Sequence, residues 1–426
     1  MLRRIAASEI PSVRRNPVET QARATAEEIV NAVRDEGEAA VRRYAERFGE
    51  LTPGAPLILT RDVELKAAYE EISQAERDCL ERTAGRIRAF ALAQKGALTE
   101  VTVPIPGGEA GHTVEPVEVA GCYAPGGRYP LPSTVLMTAT TARAAGCRRV
   151  IVASPRPSKI TLAAAYVAEA DVLIPIGGAH AIAALAYGAG PVEGCDAVVG
   201  PGNAYVTAAK SLVAGSVAID MLAGPSEVLV IADDTADAAT VAADLLAQAE
   251  HDPSAIPNLI CTSDAIADAV DGHVRSQLAV LPTAAIASVA LKNGFVVVVP
   301  TVEEAAEISD RLAPEHLEIH VADAMGLKRR LKHYGGLFVG NNAAEVLGDC
   351  EKAPACRSDT TRTRARAATT CTRTRSDGVH VHAHAHAHAH AAPTTHSARV
   401  QLLRRCARVT PLPLPASTSC VRLRRP

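Results

Sequence analysis

Short apolar runs alternate with helical segments from residue 117 onward, and this rhythm constrains the fold more than any other feature. Runs such as "RRVIVASP", "DVLIPIGG" and "EVLVIADD" are rich in Val and Ile and end at Pro, Gly or Asp, which is typical of buried strands. The segments between them, such as "KITLAAAYVAEA", have helical character. Strands that alternate with helices predict parallel, doubly wound sheets, so we expect an α/β protein.

The same rhythm predicts four parts of the chain. Residues 1–50 and 63–95 read as mainly helical, and strand and loop follow them. The predicted parts are a helical N-terminal arm with part of the second unit (1–116), a first Rossmann-like domain (117–218), a second Rossmann-like domain (219–349) and an irregular tail (350–426).

Composition agrees with a packed α/β core and excludes several classes of protein. Hydrophobic residues make up 48% of the 426 residues, aromatic residues only 3%, and Trp is absent, so small side chains must fill the interior. No apolar run is long enough to span a membrane, and the basic N-terminus lacks the apolar core of a secretory signal. The ten Cys include no C-x-x-C pair. We therefore expect reduced thiols and a cytoplasmic protein without membrane or nucleic-acid partners, with an organelle as the alternative location.

The last part of the chain differs from the rest in charge and in complexity. From residue 351 onward 13 Arg and one Lys face three acidic residues, a net charge of +11, so the first 350 residues carry −14. Five of the ten Cys and seven of the 14 His also follow Gly348. Without helical or strand periodicity, this basic tail has nothing from which to build a core.

The stretch "LLAQAEHDP" ends a helix that we predict over residues 235–251, with Thr235 as its cap. Gln248 and His251 are three residues apart and therefore share one face of that helix. Two interpretations are open at this point: a pair of metal ligands, or a His that favours the negative end of the helix dipole. Gln is an unusual zinc ligand, which favours the second.

The stretch "RLAPEHLEIH" places a carboxylate beside an imidazole at Glu315 and His316. Such a pair suits general acid–base chemistry on a water or an alcohol, although a polar loop before a strand has the same sequence character. His320 lies within the strand pattern and reads as structural. The Gly-Pro turns in "DMLAGPSEV" and "VVGPGNAYV" are expected to line the ligand crevice of a doubly wound sheet, and the G-x-G-x-x-G fingerprint is absent.

Several long motifs occur in one order: "CYAPGGRYPLPSTVLM", "GPGNAYVTAAK", "AIDMLAGPSEVLVIAD", "LLAQAEHDP" and "APEHLEIH". Together they closely resemble the histidinol dehydrogenase family, over roughly residues 10–349. The resemblance implies a zinc-dependent homodimer that oxidises L-histidinol to L-histidine at the end of histidine biosynthesis. It further implies two NAD+ per turnover and active sites shared between the two subunits.

The resemblance also implies roles for individual residues. Glu315 and His316 match the catalytic pair, with His316 as base for the alcohol proton and Glu315 as activator of the water that hydrates the aldehyde. The implied zinc ligands are Gln248, His251 and Asp349. The implied substrate-binding residues are Ser226, Gln248, His251, His316 and Asp349, and the implied nucleotide contacts are Tyr123, His180 and Asn203.

Two departures from the family pattern stand out. His180 replaces the Gln of the usual G-G-A-Q-A turn, and we expect altered cofactor affinity because imidazole also forms hydrogen bonds. After Asp349 the family motifs stop: Cys350 stands at a Tyr position and Cys356 at a His position. No downstream stretch matches the closing segment whose His is the fourth zinc ligand, supplied by the partner subunit.

The abrupt change at Asp349 suggests the hypothesis of a reading-frame shift near that codon, and a genuine divergent tail is the alternative. If the tail is real, we expect a folded core with little or no activity. A non-catalytic paralogue with a metal- or nucleic-acid-binding tail is the rival function, and a dehydrogenase for a different amino alcohol is the third.

Overall fold

The computed structural model describes residues 2–10, 17–126, 130–222 and 224–345, together with the backbone of 380–383. Predictions that concern Asp349, Cys350 and Cys356 therefore lie outside the described residues. The strands are β1 (Arg3–Arg4), β2 (Leu59–Thr60), β3 (Val101–Ile105), β4 (Gly108–His112), β5 (Val119–Tyr123), β6 (Arg149–Ala153), β7 (Val172–Ile174), β8 (Ala197–Val199), β9 (Ala218–Ile219), β10 (Glu227–Ala232), β11 (Ile256–Cys261), β12 (Phe295–Val298), β13 (His316–His320), β14 (Gly336–Val339) and β15 (His380–Ala383).

The helices occupy most of the chain between these strands. They are α1 (Thr20–Glu36), α2 (Glu38–Arg47), α3 (Lys66–Glu71), α4 (Gln74–Lys95), α5 (Pro132–Ala145), α6 (Lys159–Val167), α7 (Gly178–Tyr187), α8 (Ala204–Val213), α9 (Ala238–Ala249), α10 (Asp264–Leu278), α11 (Ala284–Ala290), α12 (Val302–Leu312) and α13 (Ala324–Lys328). Among the described helices, none combines the length and the apolar content that crossing a bilayer requires.

The first large sheet has the strand order β2-β7-β6-β5-β8-β9. Its five strands from β7 to β9 are parallel, and the short β2 pairs antiparallel with β7 at the edge. Chain order therefore reverses between β5 and β8. In doubly wound sheets that reversal opens a crevice at the carboxyl ends of the strands.

The second sheet repeats this arrangement with the order β1-β12-β11-β10-β13-β14-β15. The strands from β12 to β14 are parallel and reverse their chain order between β10 and β13. Strand β1 adds a parallel pair beside β12, and the backbone of β15 pairs antiparallel with β14. The predicted α/β fold with two Rossmann-like units is thereby confirmed, and β3 and β4 form a separate hairpin.

Both sheets bury both of their faces, which explains why their strands read as continuous apolar runs rather than as alternating ones. In β6, Ile151 packs with the core that includes α1, α7 and α8, whereas the adjacent Val150 and Val152 pack with the core that includes α5 and α6. In β10, alternate residues likewise separate between a core under α9 and α10 and a core under α12.

The N-terminal region differs from the helix predicted over residues 1–50. Arg3 and Arg4 form β1 beside Phe295 and Val296, a pairing nearly 300 residues away in the chain that local sequence cannot reveal. Helix α1 ends where Gly37 adopts a φ of 60°, and α2 begins at the next residue. The helical prediction is therefore wrong for the first residues and confirmed for most of 20–47.

Helix α9 begins three residues later than predicted. Asp237 is its N-cap and accepts a hydrogen bond from the Ala239 N–H, while Thr235 bonds to Asp233 instead. The helix starts beyond the carboxyl end of β10 and returns along the sheet. Its last turn, with Gln248, therefore reaches the edge where β10 and β13 begin.

Candidate active site

The amino ends of β10 and β13 bring two glutamates together. The strands are parallel neighbours with Val228 opposite His316, so Glu227 and Glu315 lie next to each other just before that pair. Each backbone N–H donates to the other residue's carboxylate, from Glu227 to Glu315 Oε2 at 3.3 Å and from Glu315 to Glu227 Oε1 at 3.2 Å. This reciprocal pair fixes both side chains at the edge of the sheet.

The imidazole of His316 faces the last turn of α9. Its Nδ1 lies 3.4 Å from Oε1 of the buried Gln248, and its ring meets the edge of Phe338 at a centroid distance of 6.2 Å. With Nδ1–H donating to the Gln248 oxygen, Nε2 becomes the basic nitrogen of the ring. The structure thus joins two residues from different sequence motifs, Gln248 and His316.

Two of the three predicted zinc ligands lie in the described part of the chain. His251 is exposed just beyond α9, and its backbone N–H donates to the Gln248 carbonyl at 3.3 Å. Because α9 ends at Ala249, the prediction that His251 shares a helix face with Gln248 is wrong: His251 lies in the turn that follows. The amide oxygen of Gln248 and the imidazole of His251 are nevertheless N/O donors of the kind that zinc accepts. These residues fit a zinc ion, but Asp349 lies outside the described residues, so the complete ligand set stays a prediction.

The carboxyl group of Glu315 has a pKa raised to about 7. Burial is the main cause, because it disfavours the charged form. The neighbouring Glu227 acts in both directions: its N–H stabilises the Glu315 carboxylate, and its own negative charge raises the pKa of Glu315 further. A carboxyl group that titrates near neutral pH suits proton transfer to and from water.

Ser226 precedes β10 and is half-buried, with its carbonyl accepting from the Ile256 N–H at 3.1 Å. The Gly-Pro turn before it therefore lies at the amino edge of the second sheet. This corrects the expectation that both Gly-Pro turns line carboxyl-edge crevices. Because the turn precedes its strand, its last residue lies beside the start of β11 rather than at the switch point.

The predicted nucleotide contacts belong to the other sheet. Tyr123 is the last residue of β5, and its hydroxyl accepts from the Gly178 N–H at 3.1 Å at the start of α7. Burial raises the pKa of Tyr123 to about 12. Asn203 caps α8, with Oδ1 accepting from the N–H groups of Tyr205 and Val206. Tyr123 thus ends β5 and Asn203 follows β8, and these two strands flank the switch point.

His180 is held by the N-terminal arm. Its side chain is 1% exposed, Nε2 lies 2.8 Å from Glu50 Oε2, and the Phe48 ring is 5.5 Å away between centroids. The same Glu50 oxygen accepts from the Gly177 N–H at 3.1 Å. The described contacts of His180 are therefore to protein groups, and its role toward a nucleotide stays a prediction.

A buried lysine fixes the loop before Asn203. Lys210 Nζ donates to the Gly200 carbonyl at 2.9 Å and contacts the Asp220 carboxylate, which also accepts from the Gly200 N–H at 2.7 Å. This network links the "GPGN" turn to the "DMLAGPSE" segment, so two of the sequence motifs are joined by one ion pair.

Sequence reasoning missed Glu227 and Phe338 as members of the site. The signal for Glu227 was present, because it directly follows Ser226 at the start of an apolar run. Its pairing with Glu315, 88 residues away, depends on the strand register and could not be read from local sequence.

Comparison with known proteins decides the family. The model of the family described as histidinol dehydrogenase matches residues 13–367. The chain belongs to the histidinol dehydrogenase family. It is 43% identical to the histidinol dehydrogenase of Thermus thermophilus over 337 residues, covering 78% of this chain and 80% of that protein. It is 42% identical to that of Cereibacter sphaeroides over 331 residues, covering 76% of each.

A solved histidinol dehydrogenase shares the fold. The structure from Elizabethkingia anophelis is 31% identical to this chain, covers 82% of each chain and superimposes with a TM-score of 0.75. Membership of the histidinol dehydrogenase family makes this chain an enzyme of the oxidoreductase class.

Proposed function

We propose that this chain catalyses the zinc-dependent oxidation of L-histidinol to L-histidine through L-histidinal, with two NAD+ per turnover. The observation that carries the proposal is the contact between Gln248 and His316 beside Glu315, in a chain of this family. NAD+ supplies the hydride acceptor for both oxidations. Tyr123, His180 and Asn203 are the residues that we assign to nucleotide binding.

In the first oxidation His316 takes the hydroxyl proton of the alcohol on Nε2 as a hydride leaves the carbinol carbon. Two electrons and one proton leave the C–H bond as that hydride, so the alcohol becomes the aldehyde. We assign the proton to Nδ1, which lies 3.4 Å from the Gln248 oxygen, and this contact would hold the imidazole in the tautomer that the proton transfer requires.

In the second oxidation Glu315 removes a proton from water, and the resulting hydroxide oxygen adds to the aldehyde carbon. The resulting anion of the hydrate loses a hydride from its carbon and becomes the carboxylic acid. A carboxyl group with a pKa near 7 can accept the water proton and release it again near neutral pH.

Gln248, His251 and Asp349 are the residues that we assign to zinc. When bound, the ion would orient the imidazole and amino nitrogens of the substrate. Ser226, at the amino end of β10, is the further substrate contact. The proposal includes a homodimer in which the partner subunit supplies the fourth ligand. Because no stretch after Asp349 matches the family's closing segment, we expect slow turnover from the chain as printed.

Binding is the direct test, because it does not require turnover. In zinc-containing buffer, calorimetric titration should show that L-histidinol binds and that L-phenylalaninol, which lacks the imidazole, binds at least about tenfold more weakly. His316→Asn should weaken the binding of L-histidinol, and the exposed Glu307→Gln is the matched control. Equal affinity for both amino alcohols would exclude L-histidinol as the preferred substrate.

A further inference from the structure

A second group of potential metal ligands lies deeper between α9 and β13. Asp244, Glu318 and His320 each offer one ligand atom, and these atoms all lie within 4.8 Å of one another. His320 Nε2 is 3.7 Å from Asp244 Oδ2 and 3.5 Å from Glu318 Oε2. None of the three is among the residues assigned to the proposed active site.

The positions of the three residues follow from helix and strand periodicity. Asp244 lies one helical turn before Gln248, on the same face of α9. Glu318 and His320 lie two and four residues after His316, on the same face of β13. The cluster therefore occupies the same seam as the proposed site but is displaced toward the interior of the sheet.

The cluster is buried, and four of its polar atoms form no hydrogen bond to a described residue. The side chains of Glu318 and His320 are 1% exposed, and that of Asp244 is 9% exposed. Neither ring nitrogen of His320, nor Asp244 Oδ2, nor Glu318 Oε2 forms a hydrogen bond to any described residue. The other oxygen of Glu318 accepts from the Glu345 N–H at 2.6 Å, which orients the free oxygen toward His320. Buried polar atoms without partners are costly, so several of them converging on one point indicate a missing ligand.

Charge and distance both favour a cation as that ligand. With both carboxylates ionised and the imidazole neutral, as metal ligands require, the cluster carries a charge of −2, which a divalent ion cancels. Ligands bound to zinc at about 2.0–2.1 Å lie about 3.3 Å from each other in a tetrahedral site, close to the two distances from His320 Nε2.

We propose that Asp244, Glu318 and His320 form a second, buried site for a divalent transition-metal ion, distinct from the zinc site assigned to Gln248, His251 and Asp349. One imidazole with two carboxylates is a mixed donor set that suits Zn²⁺, Co²⁺ or Mn²⁺ better than Mg²⁺ or Ca²⁺. The ion would bridge helix α9 to strand β13 and so stabilise the seam on which Gln248 and His316 meet. This inference does not depend on the proposed reaction.

The test uses the full chain with the exposed ligand of the other site removed, His251→Ala. After chelator treatment, Zn²⁺ is added and the melting temperature is followed. We expect the melting temperature to rise with added Zn²⁺. In a parallel titration of the folded chain, the d–d absorption of Co²⁺ should saturate at about one equivalent. Because metal that binds only to the His residues of the tail does not stabilise the core, no rise in the melting temperature would overturn the proposal.

Two double variants locate the site. In His251→Ala/Glu318→Gln and His251→Ala/Asp244→Asn, the zinc affinity measured from the thermal shift should fall at least about 100-fold. The control His251→Ala/Glu307→Gln should behave as His251→Ala alone. Circular dichroism checks that each variant folds, and His251→Ala/His320→Gln replaces any that does not. An unchanged thermal shift in the folded variants would show that zinc stabilises the core elsewhere and would contradict the proposal.

Discussion

At the scale of single residues, the candidate site depends on the burial of Glu315 and on its contact with the neighbouring carboxylate of Glu227. From its motifs and from the family resemblance, the sequence proposed Glu315, His316, Gln248 and His251 as site residues, and their roles stay predictions. It could not reveal that Glu227 and Glu315 exchange hydrogen bonds, because that contact depends on strand register. Burial of Glu315 likewise comes from the folded chain and not from its neighbours in sequence.

The raised pKa of Glu315 predicts a pH-dependent stability. Since its folded-state pKa of about 7 exceeds the unfolded value of 4.5, the folded state binds the proton more tightly. The resulting stabilisation is complete below about pH 4.5 and is lost as the pH rises through 7. Glu315→Gln should remove this loss, making the variant relatively more stable at pH 8 by up to about 3 kcal/mol. Urea unfolding of the variant and the parent chain at pH 5 and pH 8 measures this change. The same difference in the free energy of unfolding at both pH values would contradict the prediction.

The charge of Glu227 predicts a smaller shift in the same window. Glu227→Gln removes a negative charge beside Glu315 while keeping a side chain of the same shape. The pKa of Glu315 should then fall below 7, because the repulsion that raises it is gone. The free energies of unfolding of Glu227→Gln and Glu227→Gln/Glu315→Gln are compared across pH. The pH at which their difference is half complete gives the new pKa of Glu315. Exposed Glu307→Gln is the control, and a midpoint that stays near 7 would show that burial acts alone.

At the scale of elements, α9 and β13 form a polar seam within otherwise apolar layers. The sequence predicted both elements, but it set the start of α9 at Thr235 because Thr is a common cap. In the structure Asp233 binds Thr235, and Asp237 caps the helix. Since the helix continues to Ala249, this error did not affect the prediction for Gln248.

Substitution of Gly200, in the turn after β8, is predicted to destabilise the fold. Its φ is +121°, and a Cβ there would lie 2.0 Å from the Tyr123 carbonyl oxygen. Gly215 has a φ of +104° with nothing within 4 Å, so it controls for backbone strain alone. Gly200→Ala should lower the melting temperature by several degrees more than Gly215→Ala, because it also displaces β5. Equal losses would mean that this close approach relaxes without cost.

The buried ion pair of Lys210 predicts a loss of stability on truncation. Lys210→Met keeps the aliphatic length but removes the donor to the Gly200 carbonyl and the positive charge beside the Asp220 carboxylate, which keeps its backbone donors. We expect a loss of about 3 kcal/mol in the free energy of unfolding. Lys210→Met/Asp220→Asn should recover part of it, because the unpaired charge is removed. Chemical denaturation of both variants measures the difference, and no recovery would argue against an electrostatic origin.

At the scale of the whole molecule, two sheets with the same strand order place the two halves of the proposed site at different edges. Tyr123 and Asn203 lie at the carboxyl edge of the first sheet, whereas Glu315 and His316 lie at the amino edge of the second. The alternation of strands and helices predicted the fold class, because each strand or helix is encoded by residues that are neighbours in the sequence. It did not predict that Arg3 and Arg4 join the second sheet, because that pairing is long-range.

The measurement that tests the central claim most directly is histidinol oxidation by a matched pair of chains. One is the unmodified chain of 426 residues. In the other, the residues after Asp349 are replaced by the corresponding segment of the Thermus thermophilus relative. We predict that the second chain forms two NADH per L-histidine, needs the imidazole of the substrate and His316, and turns over at least about 100-fold faster than the first. A folded, zinc-bound second chain that leaves L-histidinol unoxidised, or that oxidises L-phenylalaninol equally well, would contradict the account.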